Sequence, residues 1–142
     1  MALWHGRFEQ EPDAQMWALN ASIGFDIRLA EQDLRGSLAW AAALQVADVL
    51  TTQEFLRITE GLNTVLEEFR SGEFSVKPAD EDIHTAVERR LGEIIGPVAG
   101  KLHTGRSRND QIATATIIDL GWYQAGNLSR PVWSHSGDIS AF

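Results

Sequence analysis

An apolar stripe with helical spacing follows Thr51, and it constrains the fold more than any other feature of the sequence. The stripe consists of Phe55, Ile58, Leu62, Val65, Leu66 and Phe69. Steps of three and four residues place these side chains on one face of an α-helix, and that face must pack against another element. Residues 51–54 (TTQE) predict a capping box at the start of this helix, and Ser71-Gly72 predicts its end.

Two further segments predict helices on either side of this one. Residues 29–50 are rich in Ala, Leu and Gln, which are good helix formers. A third stripe follows three acidic residues suited to a helix start, and it consists of Ile83, Ala86, Val87, Leu91, Ile94 and Ile95. Gly96-Pro97 interrupts it, a polar loop follows at 103–109, and residues 110–120 predict another helix. The sequence therefore predicts an all-α fold in which these stripes pack together.

The two ends of the chain lack this periodicity. Residues 1–26 predict an extended arm, whose aromatic side chains would cover either a neighbouring domain or subunit or the chain's own core. Glycine and proline recur over residues 121–142, where a helix would otherwise continue. Inside a helix they cost roughly 1 and 3 kcal/mol each relative to alanine, so this segment predicts a loop or disorder.

Composition excludes several classes of function. The 142 residues fit one domain. A net charge of -8 and a pI of about 4.9 do not indicate the positively charged surface that binds nucleic acid or an anionic membrane. The chain has no cysteine, which excludes disulfides, thiolate zinc sites and a cysteine nucleophile. Neither a signal-peptide pattern nor an apolar run of membrane-spanning length is present, so we expect a cytoplasmic protein.

The polar loop at 103–110 carries unusual binding capacity. Its groups are two guanidinium forks, two hydroxyls and an amide, which belong to Arg106, Arg108, Thr104, Ser107 and Asn109. Guanidinium forks suit carboxylate or phosphate, and a helix start at Asp110, capped by Ser107 or Asn109, would also favour an anion. From the residues alone, an anion site and a solvated loop whose arginines pair with nearby acids both stay open.

A second polar cluster, residues 80–84 (DEDIH), precedes the third stripe. Its carboxylates could bind a cation, a guanidinium or a metal, although Asp-x-Asp beside one histidine lacks the further ligands a metal site needs. Acids at a helix start explain the same residues. His84 suits either proton transfer or a plain hydrogen bond, and Ser22, with no base beside it, suits a helix cap or a ligand contact.

Taken together, the motifs resemble the argininosuccinate lyase family of the fumarase/aspartase superfamily. The resemblance covers about residues 3–113, in the family's order and spacing. The matching segments are 3–4 with 6–8, 20–23, 33–37, 80–86, 88–91 and 100–111. The most specific signal is the pair formed by DEDIHT at 80–85 and TGRSRND at 104–110.

The resemblance implies a mainly α fold and an activity. An N-terminal arm would occupy residues 1–28, the helical N-terminal lyase domain 29–105, the start of a central helical bundle 106–120, and a divergent tail 121–142. The family forms homotetramers that cleave argininosuccinate to arginine and fumarate by C–N elimination, in arginine biosynthesis or the urea cycle. No metal and no organic cofactor is implied.

The resemblance also implies roles for particular residues. Ser22 and Asn109 match substrate-binding positions of the family. The loop that lines the site contributes Thr104, Arg106, Ser107 and Arg108, and two motif positions near the site are Asp82 and His84.

Departures from the family pattern limit what the chain can do alone. The family's general acid and base belong to a THLQ-type histidine segment and a GSSxMPxKxN-type serine loop, and this sequence contains neither. We therefore assign no catalytic residue and expect a truncated lyase that is inactive by itself. The alternative is a non-catalytic fragment or structural homologue of the same family. His5 and Val87 stand where the family usually has Gly and Asn, and Val87 removes a hydrogen-bonding side chain close to the site.

Overall fold

A computed structural model describes residues 14–124, and α-helices make up most of this range. The helices are α1 Ala14–Asn20, α2 Ile23–Asp26, α3 Ala30–Val46, α4 Thr52–Ser71, α5 Ile83–Ile95 and α6 Arg108–Gln124. Two 3₁₀ segments, Ile27–Leu29 and Gly96–His103, precede α3 and follow α5. The described residues contain no β-strand. The prediction of a mainly α fold is confirmed.

The core forms where the predicted stripes meet. α3 packs against α4, α5 and α6, and α4 also packs against α5. The fully buried side chains of the core include Leu34, Ala41, Ile58, Leu62, Val65, Ile83, Ala86 and Leu91. Phe55 and Phe69, at the ends of the α4 stripe, pack partly buried against this core. Burying apolar surface at about 25 cal/mol per Å² is what holds helices of this length together.

The start and end of α4 agree with the sequence signals. The Oγ1 of Thr51 accepts a hydrogen bond from the Glu54 N–H at 3.2 Å, and the Thr51 N–H donates to Glu54 Oε2 at 3.0 Å. This reciprocal pair is the predicted capping box. Gly72 ends the helix with φ 76°, a left-handed conformation that glycine adopts without steric cost.

Helix α3 ends earlier than predicted. The predicted helix over 29–50 is observed as Ala30–Val46, followed by a turn in which Asp48 has φ 56°. The Leu50 side chain then enters the core at 2% exposure. The composition of residues 47–50 does not predict this turn, because alanine and leucine favour a helix.

Helical structure extends further toward both ends than predicted. The expectation of an extended arm over 1–26 is wrong for residues 14–26, where α1 and α2 form; α1 (AQMWALN) contains good helix formers but is too short to show a stripe. The expected loop over 121–142 is wrong for residues 121–124, because α6 continues to Gln124. One glycine costs about 1 kcal/mol, which a helix of 17 residues tolerates. The rest of both expectations concerns residues 1–13 and 125–142, outside the described range.

Candidate functional site

The predicted polar loop is short because α6 begins early. Ser107 caps the helix: its Oγ accepts from the Asp110 N–H at 3.2 Å, while its own N–H donates to Asp110 Oδ2 at 2.8 Å. The Ser107 N–H and the Ser107 side chain both hydrogen-bond the Asp110 carboxylate, and these bonds hold the pKa of Asp110 below its ordinary range. The helix therefore starts at Arg108 rather than Asp110, and Asn109 lies exposed in its first turn. Of the two residues predicted as possible caps, Ser107 and Asn109, Ser107 is the one whose side chain caps the helix.

The turn before this cap depends on Gly105. Its φ of 69° lies in the left-handed region, and an added Cβ would lie 3.8 Å from Trp40 Cζ2. Thr104, the residue before it, is exposed, and its N–H donates to the Lys101 carbonyl at 3.1 Å. The loop thus rests against the Trp40 ring of α3 and directs Arg106 back toward that helix.

Arg108 joins α6 to α5. Its Nη2 donates to Glu88 Oε2 at 2.9 Å, its Nη1 donates to Gln111 Oε1 at 2.8 Å, and its Nε lies 3.9 Å from Asp82 Oδ2. Glu88 also lies 2.9 Å from His103 Nδ1. The two motifs that carried the family resemblance therefore meet through this arginine. Its Nε is buried and has no hydrogen-bond partner among the described residues.

A buried polar cluster connects α3, α5 and α6. His84 Nδ1 lies 2.9 Å from Asp33 Oδ1, and Gln111 Nε2 donates to the same oxygen at 2.7 Å. The three residues are exposed by 2%, 1% and 3%. We did not predict site roles for Asp33 and Gln111. A sequence signal existed for both, because segments 33–37 and 100–111 are among those that match the family.

Arg106 differs from Arg108 in its partners. Its Nη1 donates to Ser37 Oγ at 3.3 Å, but its Nε and Nη2 are buried without a hydrogen-bond partner in the described part of the chain. Burial lowers the pKa of this guanidinium because the charged form loses hydration. The side chain borders a cavity of about 220 Å³ lined by Asp33, Gly36, Ala39, Trp40, Arg106, Gln111, Thr114 and Ala115.

Ser22 is linked to the start of α5. Its hydroxyl donates to Asp26 Oδ2 at 2.6 Å, and its N–H donates to the Glu81 carbonyl at 2.8 Å. Asp26 in turn accepts from the Ile83 N–H at 3.1 Å, and burial raises the pKa of the Asp26 carboxyl. Ser22 precedes α2 but makes no side-chain cap bond, so the capping role suggested for it is wrong. Its hydroxyl proton goes to Asp26 instead.

Asp82 and Val87 stabilise α5, Asp82 as the residue that caps it and Val87 through packing. Asp82 caps the helix, since its Oδ1 accepts from the Thr85 N–H at 2.6 Å. Val87 is 2% exposed and belongs to the apolar core, so packing occupies this position where a family asparagine would bring polar groups. His5 lies outside the described residues. Between residues 14 and 124, no group of three His, Asp or Glu side chains is placed to hold a metal ion.

The site therefore combines a polar cluster enclosed by helices with an arginine-rich loop at the start of α6. Comparison with known proteins shows which family has this sequence. The family described as Lyase matches residues 6–123, and the chain belongs to this family. Within the described range, no helix is long and apolar enough to cross a membrane.

Similar proteins are named argininosuccinate lyase. The one from Roseiflexus castenholzii is 55% identical over 128 residues, which are 90% of this chain and 27% of that protein. The one from Chelativorans sp. is 55% identical over 140 residues, or 99% and 29% of the two chains. The one from Chlamydomonas reinhardtii is 54% identical over 112 residues, or 79% and 24%. The predicted resemblance is confirmed, and the chain spans only 24–29% of these relatives' length.

Proposed function

We propose that this chain is part of an enzyme that cleaves argininosuccinate to arginine and fumarate, and that residues 104–109 hold carboxylates of the substrate. The observation that carries the proposal is the set of guanidinium N–H groups left without partners. Arg106 Nε, Arg106 Nη2 and Arg108 Nε are all buried and have no hydrogen-bond partner within the described part of the chain. A buried donor without an acceptor costs about 1–3 kcal/mol, so such a set favours a bound anion.

The chemistry of elimination suits these donors. A base removes a proton next to a carboxylate, and negative charge then accumulates on that carboxylate. Fixed donors near the charge stabilise the transition state more than the ground state. The departing guanidinium nitrogen needs an acid, and we assign neither that acid nor the base to this chain. The proposed role of Arg106 and Arg108 is therefore to bind and to stabilise charge, and the mechanism we propose needs no metal or organic cofactor.

The remaining residues have roles that follow from their partners. Thr104 and Asn109 are exposed, so their side chains are available to a substrate. Ser22 already donates its one proton to Asp26, so its free capacity is as an acceptor for a substrate N–H. Ser107 is engaged with Asp110 through both its N–H and its side chain, so its proposed contribution to the substrate loop is to hold the start of α6.

Asp82 and His84 would support the site through neighbouring residues and would not contact the substrate. Asp82 lies 3.9 Å from Arg108 and can orient its guanidinium. His84 is 2% exposed, so we propose that it supports the site through Asp33 rather than by touching the substrate.

We further propose that the whole enzyme is a cytoplasmic homotetramer in which α6 begins a central helical bundle. Three large apolar side chains of α6 support this, because Ile112, Ile117 and Leu120 are 40%, 68% and 55% exposed. An exposed apolar helix face of this kind suits packing against further helices.

Assay of the 142-residue chain with argininosuccinate tests the proposal. We expect no fumarate release by ultraviolet absorbance, because we assign the acid and base elsewhere, but measurable binding by calorimetry. Arg106→Gln should weaken binding at least about tenfold, since it removes a buried charged donor. Arg70→Gln is the matched control, because Arg70 pairs with Glu31 on the exposed surface. Fumarate release by the chain alone, or binding that Arg106→Gln leaves unchanged, would contradict these assignments.

A further inference from the structure

Gln111, in the first turn of α6, connects the loop arginine Arg108 to the buried polar cluster. Its Oε1 accepts from Arg108 Nη1 at 2.8 Å, and its Nε2 donates to Asp33 Oδ1 at 2.7 Å. The same Asp33 oxygen lies 2.9 Å from His84 Nδ1. A chain of polar contacts therefore runs from α3 and α5 to the arginine at the start of α6.

The two neighbours of Gln111 require an amide between them. A guanidinium has only donors and an ionised carboxylate has only acceptors, so the group between them must accept on one side and donate on the other. The Gln111 side chain does both, and these partners fix which of its ends is the oxygen. Gln111 and Asp33 are 3% and 1% exposed, so water is not available to replace either partner. A glutamate at this position would bring two carboxylates into contact, which disfavours their charged forms.

A second acceptor holds the other terminal nitrogen of Arg108. Arg108 Nη2 donates to Glu88 Oε2 at 2.9 Å, so the guanidinium is held by Glu88 of α5 and by Gln111 of its own helix. The Arg108 side chain is 18% exposed, and it is therefore held without being fully enclosed. A donor that is already oriented loses less freedom when it binds a ligand, and it stabilises developing charge without first reorganising.

We propose that Gln111 is a positioning residue, whose amide orients the guanidinium of Arg108 toward a carboxylate of the substrate. The proposal rests on the proposed function and deepens it, because Arg108 acts there as a carboxylate donor. Asp33 fixes the amide from the side opposite Arg108, and His84 contacts the same oxygen of Asp33. Gln111 does not itself contact the substrate.

The orientation of Arg108 can be measured in the unsubstituted 142-residue chain without a ligand. In a proton–nitrogen correlation spectrum, a terminal guanidinium nitrogen that rotates freely gives one averaged proton signal, whereas a held one gives two. Arg108→Lys assigns these signals. We expect Nη1 to give two signals in the unsubstituted chain and an averaged one in Gln111→Met, a substitution of similar volume. Averaging in the unsubstituted chain, or two Nη1 signals that survive Gln111→Met, would overturn the proposal.

Gln53→Met is the matched control, because Gln53 is an exposed glutamine of α4. It should leave the Arg108 signals and the calorimetric affinity for argininosuccinate unchanged. Gln111→Met should weaken that affinity at least about tenfold, since it removes a hydrogen bond to a charged group. Unchanged affinity in Gln111→Met would refute this inference alone. If the unsubstituted chain did not bind argininosuccinate, the binding role in the proposed function would be refuted, while the Arg108 signals would still decide whether Gln111 holds the guanidinium.

A double variant separates positioning from packing. Gln111→Glu alone should weaken argininosuccinate binding at least about tenfold, because its new carboxylate faces Asp33. Adding Asp33→Asn restores a complete set of partners: the carboxylate accepts from Arg108, and the new amide donates one N–H to it and the other to His84. The double variant should therefore recover most of the affinity and the separate Nη1 signals. A double variant that binds no better than Gln111→Glu would overturn the proposal. If these buried substitutions unfold the chain, the Nη1 signals of the unsubstituted chain still decide.

Discussion

At Gly61, helices α4 and α5 approach so closely that a methyl group does not fit. A Cβ there would lie 2.7 Å from Leu91 Cδ1 and 2.8 Å from Ile95 Cγ2, and both neighbours are buried. We expect Gly61→Ala to lower the free energy of unfolding by about 1–2 kcal/mol. The overpacking penalty of about 1–3 kcal/mol exceeds the gain of up to about 1 kcal/mol in helix propensity. Urea denaturation followed by circular dichroism measures the change.

Gly92 provides the matched control for this prediction. It lies within α5, and an added Cβ would meet nothing within 4 Å. Gly92→Ala should therefore raise the free energy of unfolding by up to about 1 kcal/mol through helix propensity alone. If both alanines stabilised the chain equally, the close approach at Gly61 would be wrong.

The sequence does not distinguish the roles of the two loop arginines. Arg106 and Arg108 stand two positions apart and offer the same chemistry, so the sequence predicts the same role for both. Tertiary partners separate them: Arg108 pairs with Glu88 across to α5, while two nitrogens of Arg106 stay unpaired. Those partners come from segments far apart in sequence, and spacing alone did not identify them.

Between elements, α4 and α5 are also joined by an ion pair at the border of the core. Arg90 donates to both carboxylate oxygens of Glu68, with Nε at 2.8 Å from Oε2 and Nη2 at 2.6 Å from Oε1. This bidentate pair lowers the pKa of Glu68 from its ordinary value near 4.5. A carboxyl with a depressed pKa in the folded state stabilises the fold above its unfolded pKa, and loses that contribution as the pH falls through the folded pKa.

We therefore expect Glu68→Gln to lower the free energy of unfolding by about 1 kcal/mol at about pH 7 and by much less at about pH 3. Urea midpoints at the two pH values measure the difference. Glu60→Gln, an exposed position on the same helix, should change stability by less than about 0.5 kcal/mol at both. A Glu68→Gln effect that did not shrink at low pH would show that the pair contributes through packing instead.

Helix identity could be predicted from the sequence better than helix boundaries. The α4 stripe, its capping box and Gly72 are local signals, and each appears in the structure. Helix α6 begins two residues earlier than predicted because Ser107 and Asp110 form the cap together. Helix α3 ends four residues earlier than predicted, because alanine and leucine in residues 47–50 favour a helix and hide the turn. A helix boundary depends on a few local hydrogen bonds that compete with one another. The apolar periodicity is read over the whole helix, so it predicts the helix more reliably than its ends.

In the molecule as a whole, α3 brings the core and the site together. One face carries Leu34 and Ala41 into the core. The same helix contributes Asp33 and Trp40 to the lining of the cavity, and its Ser37 accepts a hydrogen bond from Arg106. The sequence could predict that the motifs at 80–85 and 104–110 belong to one site, because their resemblance to the family is specific. It could not show that α3 connects them, because that depends on Asp33 contacting His84 and Gln111 across three helices.

In the proposed function, residues 104–109 form the substrate loop of an argininosuccinate-cleaving enzyme. The most direct test is a chimera in which residues 6–123 replace the aligned segment of the Roseiflexus castenholzii argininosuccinate lyase, to which this chain is 55% identical. Fumarate release is followed with argininosuccinate and with adenylosuccinate. We expect release from argininosuccinate only, with a loss of at least about a hundredfold in kcat/KM for Arg106→Gln and no change for Arg70→Gln. A folded chimera that released no fumarate, or that was indifferent to Arg106→Gln, would contradict this proposal.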